Sequence, residues 1–243
     1  MRIQSLILAA VLFSTAFGQR YVAQVIPGYN TLAAPKAKAV NVVRTDSAIQ
    51  FTFHSTKFRI TQSGDLVQPL ITATRNGQSD DHRLINAAPF FPDAECTIVS
   101  FDADGNGVDD LFLVFPYSLP GISPNVDVVA AYFFFPDSSF KFVTLRSYYG
   151  DIDLFRDFNH DGRLEYACIN ELRSSSLAYN VVNLFAMNEG EFTNITSTTP
   201  GFPIFVVRTG SGLRRVKKLP ESIANSWYLK EPDVLSGNTP TSN

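Results

Sequence analysis

The sequence predicts an all-β protein, and three observations carry that prediction. Its apolar residues alternate with a period of two or gather in short solid runs, and no long stretch repeats them at the i, i+3, i+4, i+7 spacing of an amphipathic helix. Phe (21) and Tyr (9) are abundant while Met (2) is scarce, a usage that suits pleated, half-buried surfaces better than a helical core. The runs that read as strands recur at roughly ten-residue spacing, as in chains built of many short strands.

Taken in order, Met1 to Gly18 has one early charge at Arg2, an apolar run from Leu6 to Phe13, and small residues at Ala16 and Gly18. That is the order of parts in a secretory signal peptide, with cleavage expected after Gly18. The apolar run is too short to span a bilayer, and Gln19 and Arg20 follow it. Residues 19–47, with Pro27, Gly28 and Pro35, are expected to be loose apart from a single strand near Tyr21 to Val25. Candidate strands then run from Ile49 to Phe53, Lys57 to Thr61, Leu66 to Thr72, Cys96 to Phe101, Leu111 to Phe115 and Val126 to Phe135. Further ones are Phe140 to Leu145, Ile152 to Phe155, Leu164 to Ile169, Val181 to Met187, Phe192 to Thr196, Phe205 to Arg208 and Leu213 to Lys217. Phe133, Phe134 and Phe135 would put aromatics on both faces of one strand, as in a buried central strand. The polar segment from Asn76 to His82 reads as a loop, and Trp227 as a core anchor before the tail rather than a sugar-stacking platform. Residues 19–230 are thus expected to form one β-repeat domain, and residues 231–243, with Pro232, Gly237 and Pro240, a disordered tail.

Three stretches share one hairpin pattern of apolar strand, polar turn, then Phe leading to Thr: Gln50 to Thr61, Tyr132 to Thr144 and Leu184 to Thr196. A fourth, weaker hairpin is Phe205 to Lys217, turning at Gly210 to Gly212. The second and third copies each follow an acidic, glycine-containing loop. The expected unit is strand, acidic loop, strand, hairpin.

The acidic loops carry the clearest chemistry. The first is Asp102-Ala103-Asp104-Gly105-Asn106-Gly107-Val108-Asp109-Asp110, and the second is Asp157-Phe158-Asn159-His160-Asp161-Gly162-Arg163-Leu164-Glu165. Both fit D-x-[DN]-x-[DN]-G-x-x-[DE]. Side-chain oxygens at positions 1, 3 and 5 turn inward around a tight bend, Gly at 6 permits the bend, and the carbonyl of position 7 adds an oxygen. Position 9 completes the set with its carboxylate. The expected metal ligands are therefore Asp102, Asp104, Asn106, Val108 and Asp110 in one site, and Asp157, Asn159, Asp161, Arg163 and Glu165 in the other. About six hard oxygens suit Ca2+ and are loose for magnesium's tight octahedron. Like charges about 4 Å apart repel by about 1 kcal/mol in water and about 4 at a protein surface, so a cation is expected at each loop. Neither is an EF-hand: position 12 is Leu113 or Cys168 where that motif has a bidentate Glu, and the flanks read as strands.

These loops, and Asp110-Leu111-Phe112-Leu113-Val114 after the first, resemble the FG-GAP/VCBS family, the calcium-loop repeats of integrin-α-like β-propellers. Glu165-Tyr166-Ala167 is a looser match. The resemblance covers about residues 90–197 well and 49–72 weakly, since the first copy has no acidic loop. It implies blade-like repeats with calcium at a loop between strands, and no single activity. The chain after Gly18 holds about four such units, fewer than a seven-bladed ring. The expected fold is a propeller-like array of about four four-stranded repeats, with a β-sandwich as the alternative.

Charge and composition narrow the function. Twenty Lys and Arg against 23 Asp and Glu give a net charge of −3, so no nucleic-acid partner is expected, and no later stretch is apolar enough for a membrane span. Cys96 and Cys168 are an even pair, which permits one disulfide in an oxidising compartment, with two buried free thiols as the other reading. Asn194-Ile195-Thr196 is a glycosylation sequon. His54, His82 and His160 are the only histidines, in an expected hairpin turn, a polar loop and the second acidic loop; with no Gly-x-Ser-x-Gly elbow, no catalytic set stands out. Arg214, Arg215, Lys217 and Lys218 form the only dense basic run, read as a charged edge strand or as a patch for sulfated glycans, phosphates or acidic partners. The expected function is a secreted calcium-binding protein acting as an extracellular binding or matrix component, with an extracellular protein or glycan as partner. A lectin-like module and a secreted hydrolase are the alternatives.

Overall fold

The computed structural model describes residues 21–63, 68–84, 96–116, 126–148, 152–174, 177–188, 190–210 and 212–224. The signal segment, Trp227 and the tail lie outside the described residues. The strands are β1 (Lys38–Ala39), β2 (Val43–Arg44), β3 (Ile49–Phe53), β4 (Thr56–Ser63), β5 (Gln68–Arg75), β6 (Gln78–Arg83), β7 (Thr97–Phe101) and β8 (Asp110–Pro116). They continue as β9 (Val126–Phe134), β10 (Phe140–Tyr148), β11 (Phe155–Arg156), β12 (Glu165–Ser174), β13 (Leu177–Asn188), β14 (Glu191–Asn194), β15 (Ile204–Thr209) and β16 (Gly212–Val216).

Among the described residues the strands form three antiparallel sheets, none closed into a barrel. The first has the order β2-β3-β4-β5-β6 and the second β1-β7-β8-β9-β10. The third is β11-β12-β13-β15-β16, with β14 also on β13. β14 pairs with Phe185 to Asn188 and β15 with Ala178 to Val182, so the two lie end to end along one side of β13. Three sheets stand where about four units are expected. The Phe205 to Lys217 hairpin is β15–β16 of the third sheet, and Gln50 to Thr61 is β3–β4, joining the second and third strands of its meander rather than the last two. The two-residue turn His54–Ser55 thus occupies, in the first sheet, the place that the acidic loops hold in the others.

The second sheet is buried on both faces, which is why β8 and β9 read as solid apolar runs. Leu111, Leu113, Phe115, Ala130, Tyr132 and Phe134 share a cluster with Phe58, Ile60 and Ile71 of the first sheet. Their alternates Phe112, Val114, Val129, Ala131 and Phe133 share another with Tyr166, Leu184 and Phe185 of the third. Phe133 and Phe134 thus face opposite ways, as expected of a central strand. A third, smaller cluster covers Leu172, Tyr179, Val181 and Val207 with Leu219 and Ile223, the latter from the short helix Glu221–Ala224.

Three expectations are corrected. Residues 21–25 are helical rather than a strand. The buried residues Tyr21, Val22, Val25, Ile26 and Tyr29 are spaced as one helical face, which packs into the cluster between the second and third sheets. Residues 78–83 are strand β6 rather than a loop; Asn76 (φ 52°) and Gly77 (φ 79°) form the tight turn from β5, and His82 is buried with its ring stacked 4.0 Å from that of Phe142. Cys96 and Cys168 are both buried, and neither is in a disulfide. They lie in different clusters, on opposite sides of the second sheet, so the permitted disulfide is not made.

Candidate metal centres

Both acidic loops sit at the same point of their meanders, between β7 and β8 and between β11 and β12, and fold the same way. In each, the position 1 carboxylate accepts the position 6 N–H: Gly107 N to Asp102 Oδ2 at 2.9 Å and Gly162 N to Asp157 Oδ2 at 3.2 Å. The position 3 oxygen accepts the position 5 N–H, Asn106 N to Asp104 Oδ1 at 3.1 Å and Asp161 N to Asn159 Oδ1 at 2.9 Å. Position 5 accepts from position 7, Val108 N to Asn106 Oδ1 at 2.7 Å and Arg163 N to Asp161 Oδ1 at 2.8 Å. Position 9 reaches back to position 2, Ala103 N to Asp110 Oδ2 at 2.9 Å and Phe158 N to Glu165 Oε2 at 2.6 Å. Positions 4 and 6 are left-handed in both, Gly105 (φ 72°) and His160 (φ 63°), then Gly107 (φ 84°) and Gly162 (φ 89°). At position 6, where both loops use Gly, a Cβ would strain the bend.

This framework gathers the acids. Ligand oxygens of Asp102, Asp104 and Asp110 lie within 4.8 Å of one another, and so do those of Asp157, Asp161 and Glu165. The third carboxylate comes from position 3 in one loop and position 5 in the other, with Asn in the remaining place. Each Asn also donates to its neighbouring carboxylate at 3.0 Å, Asn106 Nδ2 to Asp104 Oδ2 and Asn159 Nδ2 to Asp161 Oδ2. Burial pushes Asp110 up to about 8 and Glu165 up to about 7, and the neighbouring carboxylates add to both shifts; Asp104 is raised chiefly by burial too. Crowded, partly buried oxygens of one sign are a set that a hard cation neutralises. Among the described residues these two are the only groups of three or more His, Cys, Asp and Glu that could hold a metal.

The surroundings tie the loops to the sheets and to each other. Phe134 on β9 donates its N–H to Asp110 Oδ1 at 2.8 Å, and its carbonyl accepts Asn106 Nδ2 at 2.7 Å. Leu164 N donates to Ala103 O at 2.9 Å, joining the two loops. The exposed Arg163 side chain lies over Gly105, where a Cβ would stand 3.0 Å from its Cγ. Val108 instead packs its side chain against the cluster between the first two sheets. Asp109, at position 8, turns outward to Lys38 at 2.6 Å, and its carbonyl lies 2.9 Å from His54 Nε2.

The remaining candidates do not converge. His54 meets the first loop, His82 is buried against Phe142, and His160 is exposed at the second loop. Asn194 is exposed, while Thr196 of its sequon is buried with its hydroxyl on Leu184. Sequence reasoning missed Phe134, Lys38 and the Leu164–Ala103 bond, because each joins a loop to a residue distant in the chain or to the other loop. Compared with known proteins, the chain matches no family model, no curated protein and no solved structure.

Proposed function

We propose that this chain is a calcium-binding β-repeat protein of the extracellular space, in which two structural ions brace the turns of the second and third sheets. The observation that carries the reading is the shared hydrogen-bond framework of the two loops, which gathers three acids each by the same contacts. Calcium fits better than magnesium, because each nine-residue loop offers about six oxygens on a flexible turn. The FG-GAP/VCBS resemblance agrees, and in that reading the three meanders correspond to propeller-like blades. The signal-like segment points outside the cell, where affinities of about 10⁻⁴ to 10⁻³ M suffice. No step of catalysis is assigned. The role is binding or scaffolding, with the ions supplying folding free energy.

The test is Asp157→Ala combined with Asp161→Ala. A site held at 100 times its Kd contributes about 2.7 kcal/mol, or roughly 5–10 °C in midpoint for a chain of this size. Thermal unfolding should show the double variant losing about half of the calcium-dependent rise, with a much smaller change in EDTA. Equal losses with and without calcium would mean that the acids only shape the turn.

A further inference from the structure

Away from the two loops, the densest charge among the described residues lies on the third sheet. Arg214, Arg215, Lys217 and Lys218 are all exposed. Among the described residues none of these four side chains takes part in an ion pair or a side-chain hydrogen bond, whereas Lys38, Lys141, Arg156 and Arg173 each have an acidic partner. β16 pairs only with β15 and forms the outer edge of its sheet among the described residues. Arg214 stands opposite Val207 and Arg215 opposite Val206, so successive guanidinium groups leave on opposite faces; the two lysines follow in a bend.

Charged side chains, lysine above all, guard an edge strand against pairing. Four unneutralised cations within five residues repel one another, by about 1 kcal/mol for a pair about 4 Å apart in water. An anionic ligand removes that repulsion. A flat anionic surface, membrane or duplex, meets only one face of the edge, whereas a linear chain laid along it reaches both. An added β-strand is opposed by the same charged edge. Phe205, the only aromatic on β15 or β16, packs into the core, leaving no stacking platform for unpaired bases.

We propose that the β16 edge binds a linear sulfated polysaccharide, with Arg214, Arg215, Lys217 and Lys218 pairing to its sulfate groups. Guanidinium suits this ligand because its fork can donate twice to one oxyanion. The rest of the protein is net acidic and repels a polyanion, so binding depends on this edge. The inference stands apart from the metal reading, since these residues touch neither loop.

The experiment uses the whole chain after Gly18 and heparin as the probe, in calcium and in EDTA. Four contacts at about 0.7 counterions each give a log–log salt slope near −3, or roughly a 50-fold loss of affinity between about 50 and 200 mM salt. R214Q/R215Q should weaken binding at least about fivefold and flatten the slope by about 1.4, while K57Q/R59Q, an exposed pair on β4, should change neither. Melting curves verify that both variants fold. Failure of the wild type to bind heparin at about 50 mM salt overturns the proposal. So do equal losses in the two variants, or equally tight binding of desulfated heparin, single-stranded DNA or anionic vesicles. Any of these leaves the calcium response of the loops untouched.

Discussion

Asp110→Ala should unfold about 4–24 °C below the wild type even in EDTA, and should also lose the calcium response of the first loop. Asp110 is buried, and its two oxygens take the N–H groups of Ala103 and Phe134 at 2.9 and 2.8 Å. It thereby fastens the start of the loop to β9, two strands away in the sheet. Removing it leaves two buried donors without partners, at about 1–3 kcal/mol each. About 2–4 °C per kcal/mol converts that cost to the stated fall in midpoint. Asp110→Asn keeps one acceptor oxygen and should fall in between. A loss below about 1 kcal/mol for the Ala variant in EDTA would mean that the N–H groups find other partners, and that the carboxylate does not fasten the loop.

Phe112→Ala should cost about 3–5 kcal/mol, and the same amount with calcium as without it. Phe112 is fully buried two residues after Asp110, on the face of β8 that packs toward the third sheet. Its ring stacks on Phe101 at 4.2 Å and meets the edges of Phe155 at 5.0 Å and Phe133 at 5.9 Å, so truncation opens a cavity among three aromatics. Phe112→Leu should recover more than half of the loss. Urea unfolding in EDTA and in calcium checks both statements. A cost that grows several-fold with calcium would show that this contact supports the ion site rather than the core, contrary to the division of labour argued above.

The shape of the acidic loops was legible because it is local: oxygens at alternate positions and a Gly where the chain must turn left are written within nine residues. β8 and β9 were equally plain, since burial on both faces leaves an unbroken apolar run. β6 was not, because on an edge strand only His82 needs an apolar setting, and the polar run from Gln78 to Asp81 hid a strand that the Asn76-Gly77 turn signalled. The helical stripe of Tyr21, Val22, Val25, Ile26 and Tyr29 was present but too short to outweigh the strand pattern around it. The number of units was overcounted for a physical reason. An apolar strand, a polar turn and a Phe leading to Thr suit more than one hairpin position in a meander, so Gln50 to Thr61 and Leu184 to Thr196 look alike while holding different places in their sheets. Pairing of Cys96 with Cys168 depended on three-dimensional placement, and a whole sheet stands between them.

Two calcium ions in the folded chain are the central claim, and thermal unfolding of residues 19–243 across a calcium series, with EDTA and magnesium as references, tests it most directly. The midpoint should climb with calcium by roughly 10–20 °C as both sites fill, and should move far less with magnesium at the same concentrations. A midpoint that ignores calcium, or follows magnesium equally, would contradict the claim and leave both loops as acidic turns held by their own hydrogen bonds.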